Sequence, residues 1–264
     1  MDRRSMLSMM AAGTVMALAG CSSAQGDPVA AGAPEVPEVG GPGPAPPALL
    51  PPPGGAKTAI APATITALPG AGNSLALTVD DGASAEVVGA YVQFAKDTGA
   101  RFTFFVTAYY QSWIAHQDEL RPLVDSGQIQ LANHTWDHAD LTALSDHAVA
   151  DDISRCKLFL RNRFGVDGMP YYRPPFGRHN ARVDRIAADL GYTVPVMWYG
   201  SLSDSGLITE QYLIECARKY FNPQAIVIGH ANFPPVTRCY GQLVDIIRER
   251  NLSLVTLDDV LTVA

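Results

Sequence analysis

Beyond residue 74 the chain alternates short apolar runs with longer stretches whose apolar residues recur three and four apart. Residues 75–79 predict a strand that stops at Asp80-Asp81-Gly82. Ser84 is placed to cap a helix running to about 98, with Val87, Val88, Tyr91 and Phe94 on one face. A β-branched and aromatic strand follows over 101–107, then a helix over 114–124 and a strand over 128–132. Helices are predicted over 145–164 and 179–190, a strand over 193–198, a helix over 209–220 and a strand over 225–228. The pattern closes with a helix over 237–250, a strand over 252–256 and a short last helix. About seven strands alternating with helices predict an α/β protein with a parallel sheet, either a barrel or a doubly wound sheet. In both, polar residues just past the C-terminal ends of the strands carry the chemistry.

The first 70 residues have another character. Residues 1–20 read as an export signal: Arg3-Arg4 precede an apolar run too short to span a membrane, and small residues close it. Leu18-Ala19-Gly20-Cys21 resembles the lipobox of bacterial lipoproteins, which implies a lipid anchor at Cys21 on the outer face of the cytoplasmic membrane. Arg-Arg near the start also loosely resembles a twin-arginine signal. Residues 21–70 are Pro, Ala and Gly with little else, and 22–70 holds 12 of the 20 prolines and no aromatic residue. Such composition predicts a disordered linker, about 40 Å long as a coil and up to about 150 Å as polyproline II. The folded domain is therefore expected over 71–264.

Composition narrows the function. Hydrophobic residues make up 47% and charged residues 17%, which argues against global disorder. A net charge of −7, with no Lys/Arg cluster after Arg4, argues against a nucleic-acid partner. With Cys21 lipidated, Cys156, Cys216 and Cys239 cannot all pair. A Cys216–Cys239 disulfide and three buried free thiols both stand as expectations.

Three polar clusters fall just after predicted strands: Asp80-Asp81, the His134-x3-His138 pair, and His230. Singly each has a bland explanation, since Asp-Asp-Gly is a common turn and two histidines alone are more often structural than ligating. Together at strand ends they would converge on one rim.

Thr78-Val79-Asp80-Asp81-Gly82, His134-Thr135-Trp136-Asp137-His138 and Arg173-Pro174-Pro175-Phe176-Gly177 resemble the first three motifs of the polysaccharide deacetylase family (NodB homology domain, carbohydrate esterase family 4, CE4). Ile226-Val227-Ile228-Gly229-His230 resembles its last. The four occur in family order across nearly the whole domain. The resemblance implies a distorted (β/α) barrel of fewer than eight repeats, and removal of acetyl groups, N-acetyl favoured, from a cell-wall or extracellular polysaccharide.

It also implies roles that make chemical sense. Asp81, His134 and His138 match a metal triad for a divalent cation, zinc preferred, which leaves positions open for water and substrate. Asp80 matches the general base, Arg173 the residue that orients it, and His230 the general acid. Trp198 and Asp204 keep the six-residue step of the fourth motif, with Asp204 supporting His230, but Ser205 stands where a groove Trp is usual. The backbone N–H near Phe176 is a candidate oxyanion donor. Phe176, Trp136, Tyr172 and Trp198 are candidate substrate-binding residues. The expected partner is an acetylated polysaccharide, and the expected state a monomer touching the membrane only through its lipid. The rivals are a non-catalytic glycan- or solute-binding lipoprotein on the same fold and an amidohydrolase of small C–N substrates.

Overall fold

A computed structural model describes residues 49–263. The signal sequence, Cys21 and the first part of the linker lie outside the described residues.

In chain order the elements are β1 (Thr58–Ile60), β2 (Ser74–Asp81), α1 (Ala85–Thr98), β3 (Phe102–Val106), α2 (Ser112–Ala115), α3 (Gln117–Asp125) and β4 (Ile129–Asn133). Then come α4 (Asp146–Phe164), β5 (Tyr171–Tyr172), α5 (Ala181–Asp189), β6 (Val194–Pro195), β7 (Gly200–Ser201) and α6 (Glu210–Tyr220). The chain ends with β8 (Ala225–His230), α7 (Tyr240–Glu249), β9 (Ser253–Leu254), α8 (Leu257–Val260) and β10 (Leu261–Val263). The main sheet runs β6-β5-β4-β3-β2-β8-β7, with β9 beside the start of β2, and every one of these pairings is parallel. It is a curled parallel sheet covered by helices, consistent with a distorted (β/α) barrel. Among the described residues no helix is long and apolar enough to cross a membrane.

Strand alternation aims the site. Successive side chains of a strand point to opposite faces. Leu75, Leu77 and Val79 of β2 join Phe102, Phe104, Leu131 and Val227 in the large core cluster that also contains α1 and α7 side chains. The other face of each strand supplies Ala76, Phe105, Ala132 and Ile226 to a smaller cluster. Two steps along that second face from Ala132 is His134, and four steps from Ala76 and Ile226 are Asp80 and His230. The period of two that fills the interior thus delivers three functional groups to its C-terminal rim.

The expected linker boundary at 70/71 is corrected. β1 pairs in parallel with β10, Ile65 bridges Val196 beyond β6, and Ala67 bridges Ala225 at the foot of β8. Leu68 is buried in the smaller cluster, and Leu49 packs against the larger one, its N–H donating to Thr98 O at 3.3 Å. Composition gives no sign of this because Ile60, Ile65 and Leu68 are few and spaced by Pro and Ala, yet each finds a strand end to cover.

Three other expectations change. The helix over 114–124 is two helices, α2 and α3, separated at His116. The strand over 193–198 shrinks to the two residues of β6, and just past it the Val196 carbonyl accepts from the Arg173 guanidinium. Cys156, Cys216 and Cys239 are free and buried, with no Cys216–Cys239 bond: Cys216 Sγ lies against Ser203 Oγ and Cys239 Sγ against Pro235 O.

Candidate active site

The β2–α1 turn places two adjacent carboxylates on one cavity. Asp80 continues the inner face, so Asp81 would point outward if the strand simply continued. Instead Asp81 takes φ 70, in the left-handed region that side chains disfavour, and swings back to the rim. Gly82 follows at φ 88, where a Cβ would lie 2.2 Å from the Trp113 ring. The Trp113 indole N–H is shared between Asp81 O and Thr107 O, and the Ser112 hydroxyl donates to Gly82 O, so the turn is pinned from α2.

The metal-ligand candidates meet. His134 Nε2 and His138 Nε2 each lie 3.3 Å from Asp81 Oδ1, and ligand atoms from all three fall within 4.8 Å of one another. The Asp81 Oδ1 atom is buried and has no hydrogen-bond partner, while Oδ2 accepts from Asn232 Nδ2 at 2.7 Å. A buried carboxylate oxygen facing two imidazole nitrogens with nothing donating to it fits a cation. His134 Nδ1 lies 2.7 Å from Arg173 O, which can only accept, so Nδ1 carries the proton and Nε2 presents its lone pair.

Charge follows the same arrangement. Burial would raise the Asp81 carboxyl, but His134, His138 and the Asn232 amide outweigh it and hold the carboxyl well below the usual range. Burial and the neighbouring His134 lower the His138 imidazole, which keeps it neutral and ready to ligate. For His134 burial is outweighed by Asp80 and Asp81, and its pKa is raised.

Two further pairs border the same cavity. Asp80 Oδ1 accepts from Arg173 Nη1 at 2.5 Å, and both side chains are almost fully buried. The guanidinium also donates to Val196 O at 2.8 Å and lies over the Phe105 ring at 4.1 Å, with Trp198 at 5.5 Å on another side. His230 Nδ1 lies 3.0 Å from Asp204 Oδ1, and Asp204 Oδ2 accepts the His230 backbone N–H at 3.2 Å. Burial lowers the His230 pKa, but the Asp204 hydrogen bond and the Asp80 charge reverse this, and the net direction is upward.

The cavity is ≈ 610 Å³, lined by Asp80, Asp81, His134, His138 and His230 with Tyr110, Phe176, Trp198, Ser205 and Asn232 among its walls. Phe176 is 62% exposed, sits at φ 58 and packs edge-on against His138 at 4.6 Å. Two expected substrate contacts are corrected. Tyr172 is fully buried and its hydroxyl donates to Asp184 Oδ1 at 2.5 Å. Trp136 faces a different, shallow cavity on α4 with Arg155 stacked on its ring at 4.4 Å. Asn232 and Tyr110 join the site without having stood out in the sequence. Asn232 lies only two residues past His230, but nothing in the spacing says that it turns back to Asp81.

A sequence profile described as Polysaccharide deacetylase matches residues 68–195, which contain the first three motifs. Over this segment, just under half of its length, the chain is similar to the polysaccharide deacetylase family. It is 25% identical over 207 residues to a chitin deacetylase of Arthroderma benhamiae, covering 71% of this chain and 52% of the relative. It is 25% identical over 190 residues to the peptidoglycan-N-acetylglucosamine deacetylase of Listeria monocytogenes, covering 70% and 38%. The chain therefore spans about half or less of the length of these two curated relatives. Its fold is similar to a CE4 family pseudoenzyme from Bacillus anthracis, with a TM-score of 0.67 at 18% identity over 76% of this chain and 69% of that one.

Proposed function

We propose that this protein is a metal-dependent hydrolase that removes acetyl groups, N-acetyl favoured, from a cell-wall or extracellular polysaccharide. One observation carries the proposal. A cation-fitting triad with an orphaned Asp81 Oδ1 shares a cavity with two separately supported proton-transfer groups, Asp80 on Arg173 and His230 on Asp204.

Asp81, His134 and His138 are the residues that would hold a divalent cation, zinc preferred. Such an ion polarises a carbonyl oxygen and makes a water more acidic. The chain's own groups do the rest. Asp80 has one oxygen committed to Arg173, so Oδ2 is the atom left to take a proton from the attacking water. Asp204 fixes the proton of His230 on Nδ1, so Nε2 delivers a proton to the departing amine, and the raised pKa keeps that proton available. The backbone N–H of Phe176 is the candidate donor to the developing oxyanion, and Phe176, Trp198 and Tyr110 offer faces for sugar rings. The names of the Arthroderma and Listeria relatives support a polymeric, N-acetylated substrate. The sequence over 1–21 supports export and lipid anchoring through Cys21.

The likeness to a pseudoenzyme favours a second reading, a non-catalytic glycan binder. A binder has no use for a buried Arg173–Asp80 pair and a His230–Asp204 pair beside a ligand triad, and this chain keeps all seven groups. Acetate release from a panel of acetylated glycans, before and after chelation and zinc add-back, tests the proposal. Release that chelation abolishes and zinc restores is expected. Glycan binding without acetate release under any metal would establish the binder instead.

A further inference from the structure

In the loop joining the two imidazoles the carbonyls of Thr135 and Trp136 accept from the Ala108 and Tyr109 N–H groups, at 3.1 and 2.8 Å, while the loop's own N–H groups all go to side chains. Thr135 and His138 both sit in the left-handed region, at φ 70 and 64, which residues with a Cβ disfavour. Each of the four successive backbone N–H groups from Thr135 to His138 donates to a side-chain oxygen. Thr135 N–H goes to Asn133 Oδ1 at 2.8 Å and His138 N–H to Thr135 Oγ1 at 3.1 Å. The other two, from Trp136 and Asp137, both go to Asp152 Oδ1, at 2.7 and 3.2 Å. Asn133 and Thr135 belong to the loop and its strand, so Asp152 is the acceptor that comes from elsewhere. It stands on α4 between the buried Val149, Ile153 and Cys156, is itself 5% exposed, and does not line the catalytic cavity. The same helix fixes the start of the loop, where Asn133 Nδ2 donates to Ile153 O at 3.0 Å.

We propose that Asp152 is a positioning residue: by accepting the N–H groups of Trp136 and Asp137 it holds His134 and His138 in the geometry that ligates a cation. This rests on the metal reading of the triad. Without the acceptor, two part-buried N–H groups lose their partner and the loop is released from the conformation that Thr135 and His138 resist. An acceptor oxygen is needed, and a negative charge is not. Both N–H groups go to one oxygen, Oδ1, and an amide oxygen with two lone pairs can accept the same two. A neutral amide of the same shape should therefore serve.

The test is zinc titration by calorimetry on the full chain, on Asp152→Ala and on Asp152→Asn, with thermal melts of each metal-free protein and amide exchange on the parent. Asp152→Ala should bind zinc about 10–100-fold more weakly than the parent, and Asp152→Asn within about threefold. The parent's Trp136 and Asp137 amides should be protected from exchange. A lower melting temperature for Asp152→Ala with unchanged zinc affinity would reduce Asp152 to a structural residue and overturn the proposal. So would a tenfold loss in Asp152→Asn. If Asp152→Ala does not fold, retained affinity in Asp152→Asn together with protected amides supports the proposal, and amides exchanging at open-loop rates overturn it. A parent that takes up no zinc defeats the metal reading itself, while the exchange data still report on the loop.

Discussion

Asn232 Nδ2 donates to Asp81 Oδ2 at 2.7 Å, and this decides which carboxylate oxygen remains to face the two imidazoles. The same side chain accepts the Ala83 N–H through Oδ1 at 3.1 Å, so Asn232 ties the loop after β8 to the turn after β2. Its replacement by Ala should free the Asp81 carboxylate to rotate. Zinc affinity is expected to fall about 10–100-fold with the fold retained, checked by calorimetry beside a circular dichroism spectrum.

The His230–Asp204 pair predicts a pH effect with a definite sign. A general acid works only while protonated, so the rate falls as pH rises through its pKa. Asp204 pushes the His230 pKa upward and thereby extends the active range to higher pH. In Asp204→Asn the falling limb of the kcat profile should move to lower pH. In His230→Ala that limb should vanish and turnover drop by about 10²–10⁴. An unmoved limb in Asp204→Asn would assign the titration to another group.

The segment before residue 71 predicts a stability effect. A chain beginning at Leu49 should melt like the full chain, whereas one beginning at Ala71 loses β1, the Ile65 and Ala67 bridges, and the burial of Leu68. Leu68 alone contributes about 1.5–3 kcal/mol. At roughly 2–4 °C per kcal/mol the melting temperature of the shorter chain should fall by about 5–10 °C. Equal melting temperatures would return 49–70 to the linker.

Much of this site is legible in the amino-acid sequence. Asp80, His134 and His230 each follow a strong apolar strand, and strand alternation leaves little choice about where they point. Ser84 caps α1 as its position suggests, and α4 starts within one residue of where the pattern begins it. The illegible parts depend on local backbone or on distant partners. The left-handed twist at Asp81, which brings two adjacent carboxylates to one cavity, has no signature in residue type. β5 and β7 are two residues long, too short to show a period. Tyr172 looks like a sugar platform in sequence, but Asp184 claims its hydroxyl from inside. Ile60, Ile65 and Leu68 are isolated among Pro and Ala, and only the strand ends they cover explain why they are ordered.

The division of labour between Asp80 and Asp81 is the centre of this account, and zinc affinity measured alongside turnover in Asp80→Asn and Asp81→Asn tests it most directly. Asp80 is engaged by Arg173 and Asp81 by the imidazole pair. Asp80→Asn should therefore keep zinc affinity within severalfold and lose about 10²–10⁴ in turnover. Asp81→Asn should weaken zinc binding itself, with activity partly recovered in excess metal. If Asp80→Asn strips the metal while Asp81→Asn retains it, the two roles are reversed and the account is wrong.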